Sequence, residues 1–343
     1  MASALPIPIM VLSGSPYERG FQHGNQFAAA IDQALGRRLA SLSAADMSQA
    51  HKRASAVLAT IDVMAPHVGA ELRGIADGAG REVSGIVLRS SFELLAPPAA
   101  TGCSGLAVQT RDGALIAQNW DGPPGSDAEQ ALFIHVGTSG FEFATVAAVG
   151  GLGWVGFNRA GFGFVNNDLV LKSRCDGIPS QIVRRVFLGC PDANAAIEAA
   201  KSLPHMAGRA YLFGDASNQI ASIEVSARHG VSVCRSGSFF AHTNHALNDQ
   251  IRADEDSELL ARQYPSSRKR LEVLKIRDAG CTDACEVMDV LRDRTNAPDS
   301  VCKQTSLGEP TQTAFSVIMQ CWNRTLFLAR GMPSATEYQR ISL

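Results

Sequence analysis

Cys103 is the residue of this chain best placed to do chemistry. A small-residue run, Ala99-Ala100-Thr101-Gly102, ends at that cysteine, and Ser104-Gly105-Leu106-Ala107-Val108 follows it. Gly102 has no Cβ, so its carbonyl is open to attack and its backbone can adopt strained geometry. A neighbouring thiol can attack that carbonyl and shift the acyl group from nitrogen to sulfur. Hydrolysis of the resulting thioester would cut the chain after Gly102. Cys103 would become a new N-terminus, with thiol and α-amine on one residue. An α-amine titrates at about 7.7–8.0, so it can act as general base for its own thiol. The plain alternative is a cysteine buried as a small hydrophobe, and the local context weighs against it.

The elements around Cys103 must bring it partners. Arg111-Asp112-Gly113 is a tight turn, followed by Ala114-Leu115-Ile116-Ala117-Gln118-Asn119-Trp120-Asp121. That pattern predicts a β-hairpin with Cys103 at the start of its first strand, Gly113 supplying the turn. The return strand brings Asn119 to Asp121 back toward Cys103. A carboxylate there can hold the new ammonium by a charge-assisted hydrogen bond; otherwise Asp121 is an ordinary hairpin-end residue. Far along the chain, His242-Thr243-Asn244-His245 offers Asn244, whose neutral NH₂ suits a developing oxyanion. The His-x-x-His spacing also raises a metal-dependent hydrolase. It lacks a His-Glu-x-x-His context and a third ligand, so support of the Asn244 loop is the expected role. The other seven cysteines, Cys281 and Cys285 included, make no metal pattern and read as buried thiols. No metal and no cofactor are expected.

Several of these segments carry a family resemblance. Gly102-Cys103-Ser104-Gly105-Leu106-Ala107, followed by Gln118-Asn119-Trp120-Asp121-Gly122, resembles the acyl-coenzyme A:6-aminopenicillanic acid acyltransferase (isopenicillin N acyltransferase) family of N-terminal nucleophile hydrolases. Gly14-Ser15-Pro16-Tyr17-Glu18-Arg19-Gly20 with His23-Gly24, then Glu71 to Gly80, and then His242 to His245 resemble further family segments in the right order. The resemblance implies a four-layer αββα fold, α+β in class, with two stacked antiparallel sheets between helical layers. It implies a cut between Gly102 and Cys103, giving a helical propeptide or small subunit, 1–102, and a catalytic subunit, 103–343. It favours Cys103, Asp121 and Asn244 as the site. The implied partners are a small N-acyl substrate, the chain's own cleaved small subunit and an acyl-coenzyme A donor. One departure stands out. The family has a Ser-Arg pair before its last strands, and here Ser306-Leu307-Gly308-Glu309-Pro310-Thr311-Gln312 has no arginine. The substrate, or the balance around Asp121, should therefore differ.

Composition sets outer bounds. The chain has 343 residues, a net charge of −2 and 45% hydrophobic residues, which fits a globular enzyme and gives no sign of a polyanion partner or disordered tail. No run of eighteen or more apolar residues exists, so no membrane span is expected. The start of the chain lacks a basic n-region, and eight scattered cysteines are not a disulfide scaffold. A cytoplasmic enzyme with reduced thiols is the expectation.

Before Cys103 the chain reads as helical. Ser13 to Pro16 give a cap and a Pro-assisted start. Helices are expected over Gln22–Leu42, Ser43–Met64, Pro66–Ala79 closed by Gly80, and Val83–Leu95. Glu93 reads as a capping or solvated carboxylate that could orient the scissile loop. After Cys103 short strands dominate: 103–110, 114–119, 132–138, 141–149, and a Gly-rich pair through 150–168 that lacks a phosphate-loop Lys-Ser/Thr. Two helices, 179–188 and 191–202, interrupt them, then strands resume at 209–213, 220–225, 231–234 and 238–241. Asp254–Ile276 reads as one charged helix. Its Ser266-Ser267-Arg268-Lys269-Arg270 cluster reads as a solvated face and not a nucleic-acid site. A helix at 283–293 and a hairpin at 313–329 close the chain. Three functions fit: a self-cleaving thiol amidohydrolase or acyltransferase, including an acyl-coenzyme A-dependent N-acyltransferase; a metal-dependent hydrolase; and an uncut pseudoenzyme or binding protein.

Overall fold

The computed structural model describes residues 6–95, 101–277 and 281–343. A short strand, β1 (Ile9–Ser13), leads into five helices: α1 (Pro16–Gln26), α2 (Ala28–Leu39), α3 (Ala44–Met64), α4 (Pro66–Ala79) and α5 (Val83–Arg89). Their ends follow local chemistry. The Ser15 hydroxyl accepts from the Glu18 N–H while Glu18 reaches back to the Ser15 N–H, and Pro16 fills the first turn. The Ser43 hydroxyl accepts from the Asp46 N–H at the start of α3. Gly80, at φ +63°, ends α4 in the left-handed region.

Two expected helices are shorter than the sequence implied. The segment 22–42 is not one helix; it breaks at Phe27, whose ring leaves the helical line to pack on His23 and Phe133. The segment 83–95 stops at Arg89, and a single 3₁₀ turn, Phe92–Leu94, follows. There the side chains override local propensity. Arg89 donates to the Val149 carbonyl at 3.1 Å, and Glu93 turns inward to Arg209 at 2.9 Å. Both anchor the segment to the sheet beneath.

The remaining elements are β2 (Gly102–Gln109), β3 (Ala114–Gly122), β4 (Gln130–Gly137), β5 (Gly140–Ala148), β6 (Val155–Asn158), β7 (Gly163–Asp168), α6 (Ser180–Phe187), α7 (Ala193–Ser202), β8 (Arg209–Gly214), β9 (Ile220–Ser226), β10 (Gly230–Cys234), β11 (Phe239–His242), α8 (Asp249–Arg252), α9 (Ser257–Gln263), α10 (Ser267–Ile276), α11 (Ala284–Leu291), β12 (Gln312–Gln320), β13 (Thr325–Arg330) and β14 (Gln339–Ser342). The expected helix over 254–276 is split into α9 and α10, because Pro265 has no N–H to continue the ladder.

The strands form two sheets. The larger has the order β1-β4-β5-β6-β7-β8-β9-β10, the smaller β11-β2-β3-β12-β13-β14. Every pairing is antiparallel except the edge pair β1–β4, which is parallel. The larger sheet is thus mixed at one edge. A parallel partner needs a long crossover, and α1 to α5 lie between β1 and β4 in the chain. Neither β1 nor β14 is legible in the sequence, both being short edge strands.

Side-chain alternation sorts the core into three layers. Phe133, Phe164 and Tyr211 face the helices α1 to α7 on the outside of the larger sheet. Ala107, Ile116, Leu212, Phe315 and Val317 fill the space between the sheets. Leu106, Val108, Ala117 and Ile318 meet Leu271 and Leu274 of α10 and Val287 and Leu291 of α11. The result is helix, sheet, sheet, helix: the α+β, four-layer αββα arrangement.

Candidate active site

Strand β2 carries Cys103 at its second residue. With a period of two, Cys103 points with Ala107 into the space between the sheets, whereas Leu106 and Val108 point out toward α10 and α11. The register with β3 sets Gly102 opposite Asp121 and Cys103 opposite Trp120. On the other flank, β11 pairs His242 with Gly105, which delivers the Thr243-Asn244-His245 loop to the start of β2. Three segments remote in sequence therefore meet at Cys103.

Asn244 touches Cys103 directly. Its Oδ1 accepts from the Cys103 N–H at 3.1 Å and from Arg270 Nη2 at 2.8 Å. Its Nδ2 donates to the Asp168 carbonyl at 3.3 Å. The loop is held by buried neighbours. The Asn244 N–H donates to Ser267 Oγ at 2.8 Å, and the same hydroxyl lies 2.8 Å from His245 Nδ1. His242 is engaged at both ring nitrogens, with Glu224 at 2.8 Å and the Thr243 carbonyl at 2.9 Å. That leaves His242 no free nitrogen for a metal, and both histidines act as loop supports.

Asp121 is fully buried beside the Gly102–Cys103 bond. Its Oδ1 accepts from Thr313 Oγ1 at 2.8 Å, and its Oδ2 has no hydrogen-bond partner among the described residues. A Cβ on Gly102 would stand 2.7 Å from that Oδ2 and 3.3 Å from Lys303 Nζ. Glycine at 102 is thus what lets the carboxylate and the ammonium approach the chain. Burial raises the Asp121 carboxyl above its ordinary range, and the Lys303 and Arg270 cations pull it back. Burial, with Asp121 next, pushes the Cys103 thiol up to about 12, against the pull of Arg270. At that value the thiol is protonated at neutral pH.

Two cations of this centre were missed by sequence reasoning. Arg270 belongs to the cluster read as a solvated face. Arg268 and Lys269 are exposed as expected, but Arg270 is fully buried. Its Nη1 donates to the Cys103 carbonyl at 2.5 Å and to Ser104 Oγ at 2.9 Å, and its Nε donates to Ser266 Oγ at 3.1 Å. The signal was in the helical spacing: Ser267, Arg270, Leu271 and Leu274 recur at i, i+3, i+4 and i+7, and all four are buried. Lys303 precedes the stretch that lacks the family arginine. It pairs with Glu309 at 2.8 Å and is only 1% exposed. It had no pattern to announce it.

Between the sheets, Cys103 opens on a cavity of about 210 Å³. One wall is a ladder of rings. Phe92 stacks on Trp154 at 5.2 Å, Trp154 on Trp120 at 5.1 Å, and Trp120 on Phe315 at 5.8 Å. Trp120 is therefore part of the cavity. Asn119 points the other way, donating to the Leu291 and Val301 carbonyls, and belongs to the sheet packing. The opposite wall is charged. Asp168 binds Arg209 and accepts from Tyr264 Oη at 2.6 Å, and that hydroxyl lies 3.1 Å from Thr101 Oγ1. Glu93 accepts from Arg209 and from the Ser180 N–H at 3.0 Å, so it caps α6 and is buried, not solvated.

A cysteine at the head of a central strand, between two stacked sheets covered by helices, defines the layering of the N-terminal nucleophile hydrolases. Within that class, the chain belongs to the family described as acyl-coenzyme A:6-aminopenicillanic acid acyl-transferase, whose sequence profile matches residues 108–335. It is 28% identical over 338 residues to the 40 kDa form of acyl-coenzyme A:6-aminopenicillanic-acid-acyltransferase of Emericella nidulans, covering 94% of this chain and 92% of that one. Among solved structures it is similar to the conjugated bile acid hydrolase of Clostridium perfringens (TM-score 0.46, 13% identity, 70% of this chain and 97% of that one). Penicillin V acylase of Agrobacterium tumefaciens is another (TM-score 0.46, 10% identity, 70% and 86%). Acyl transfer or amide hydrolysis is the activity class that membership supports. Among the described residues no helix is long and apolar enough to cross a membrane.

Proposed function

We propose that the chain is a precursor that cuts itself between Gly102 and Cys103 and then works as a thiol-dependent amidohydrolase or acyltransferase on a small N-acyl substrate. In the first stage the Cys103 sulfur attacks the Gly102 carbonyl carbon. The C–N bond breaks, the nitrogen takes the thiol proton, and a thioester joins Gly102 to Cys103. Water then cleaves the thioester, leaving Gly102 as a carboxylate and Cys103 with a free amine. Residues 1–102 become a small subunit that stays with the catalytic subunit, 103–343.

In the second stage the α-amine takes the thiol proton and the sulfur attacks the substrate carbonyl. The leaving amine departs protonated, and a thioester acyl-enzyme remains. Water resolves it to an acid; an acceptor amine would resolve it to a new amide. Asp121, with one oxygen unpartnered beside Gly102, holds the new ammonium. Asn244 steadies the tetrahedral oxyanion through its Nδ2, which in the uncut chain donates to the Asp168 carbonyl. The observation that carries the reading is the Asn244 contact to the Cys103 N–H, with Asp121 in register with Gly102.

The family's name favours a second form of the same chemistry, in which acyl-coenzyme A supplies the acyl group to an amine. A cytoplasmic setting suits the free thiols. An intact mass of freshly purified protein beside Cys103→Ala tests the reading. Two fragments split after Gly102 in the unaltered chain alone are expected. A single full-length mass in both would remove the proposed base and favour an uncut binding protein.

A further inference from the structure

The cavity beside Cys103 holds more cation than its own carboxylates answer. Three carboxylates line it. Glu93 and Asp168 are both bound to Arg209, and Glu129 is bound to Arg89 at 2.7 Å and to Arg37 at 2.6 Å. Two more arginines of the wall, Arg174 and Arg184, make no salt bridge among the described residues. Arg174 is exposed; Arg184 is not.

Arg184 is 4% exposed and, among the described residues, meets only neutral acceptors. Its Nη1 donates to the Gly153 carbonyl and its Nη2 to Ser180 Oγ, each at 3.2 Å. Its buried Nε has no acceptor among the described residues. The guanidinium lies 5.7 Å from the centre of the Trp154 ring, on the aromatic wall. Burying a guanidinium without a paired anion is costly, and a planar guanidinium fork suits a carboxylate. Arg184 and Cys103 line the same cavity, so an anion held by Arg184 shares that space with a carbonyl at Cys103. The cavity, at about 210 Å³, is smaller than the roughly 300–1,000 Å³ of drug-sized sites, so the bound group is short.

We propose that the substrate carries a carboxylate within a few bonds of its scissile amide, and that Arg184 receives it, the ring ladder taking the flat or apolar remainder. The inference rests on the amide chemistry proposed above. The carboxylate can belong to the acyl group or to the amine that leaves, and the test separates the two.

Two matched pairs serve as probes. N-benzoylglycine and N-benzoylglycinamide place the charge, or its neutral counterpart, on the amine side. N-benzylsuccinamic acid and its diamide place it on the acyl side. Binding is measured by calorimetry on the full-length Cys103→Ala chain, and turnover on the unaltered enzyme. At least one acid is expected to exceed its amide by tenfold or more, and Arg184→Gln is expected to bring that ratio within twofold. Acids that bind no better than their amides overturn the inference, as does an acid preference that survives Arg184→Gln. If Arg184→Gln does not fold, the acid-to-amide ratios on the Cys103→Ala chain still decide. An acid preference in a chain that never cuts itself would sink the proposed function and keep this inference. A self-cleaving enzyme indifferent to the carboxylate would do the reverse.

Discussion

Asp121 has one oxygen satisfied by Thr313 and one with no hydrogen-bond partner among the described residues, with two buried cations nearby. That imbalance makes the residue beside it hard to change. Gly102→Ala would push a methyl against Asp121 Oδ2, so self-cleavage should slow sharply, and a full-length mass should persist over hours where the unaltered chain is cut. Lys303→Met removes the largest of the influences that lower the Asp121 carboxyl. The carboxyl should then stay protonated to higher pH. The acid limb of the cleavage rate should move to higher pH, and an unmoved limb would show that Asp121 does not govern it. Arg270→Met frees Asn244 and the Cys103 carbonyl from a common donor. Misplacement of that kind costs about a hundredfold in rate, with Arg270→Lys recovering part. At this scale the sequence pointed to Cys103, Asp121 and Asn244, and the fold brings the three together. It hid Arg270 inside a run of charges, where composition suggested solvent and only helical spacing pointed inward.

Helices α1 and α4 meet through glycines. A Cβ on Gly20 or Gly24 would stand 2.2 or 2.1 Å from a carbonyl of α4, and one on Gly74 or Gly78 would stand 2.1 or 2.2 Å from a carbonyl of α1. Backbone meets backbone with no side chain between them, so neither helix can yield locally. Gly74→Ala should therefore destabilise at the upper end of overpacking, about 3 kcal/mol, read as a lower urea midpoint. Gly36, with open space around it, is the control; Gly36→Ala should not lower the midpoint. The helix starts at Ser15 and Ser43 and the stop at Gly80 were legible, since caps are local. The break at Phe27 and the early end of α5 were not, because the rings and charged groups that cause them lie on the larger sheet. Pro265 was visible in the sequence, and its cost to the helical ladder is what divides α9 from α10.

Across the whole molecule, buried histidines tie stability to pH. His23 Nε2 accepts from the Gly150 N–H at 2.9 Å, and burial lowers its pKa to about 3. His135, also buried, is held well below its ordinary value for the same reason. Such a group stays neutral in the fold but takes a proton when unfolded below about pH 6.5. Stability is therefore full above pH 6.5 and falls as pH drops from there toward 3, by about 1.4 kcal/mol per unit for each such histidine. The thermal midpoint should decline steadily between pH 6.5 and 4, and His23→Gln should lessen the slope. The four layers were implied by the family resemblance; the parallel edge of the larger sheet was not, since β1 is five residues long and its partner β4 lies more than a hundred residues on. That edge also orders events in time. Strand β1 cannot pair until everything through β4 has been synthesised, and such distant pairings form slowly. The strands that aim Cys103 at Gly102 include β11, later still. A chain that cuts itself by this geometry finishes folding before it severs its own thread, so the sheet is laid down by a continuous polypeptide. Two fragments expressed apart would have to find that register as strangers, and should assemble poorly however well the cut protein holds together.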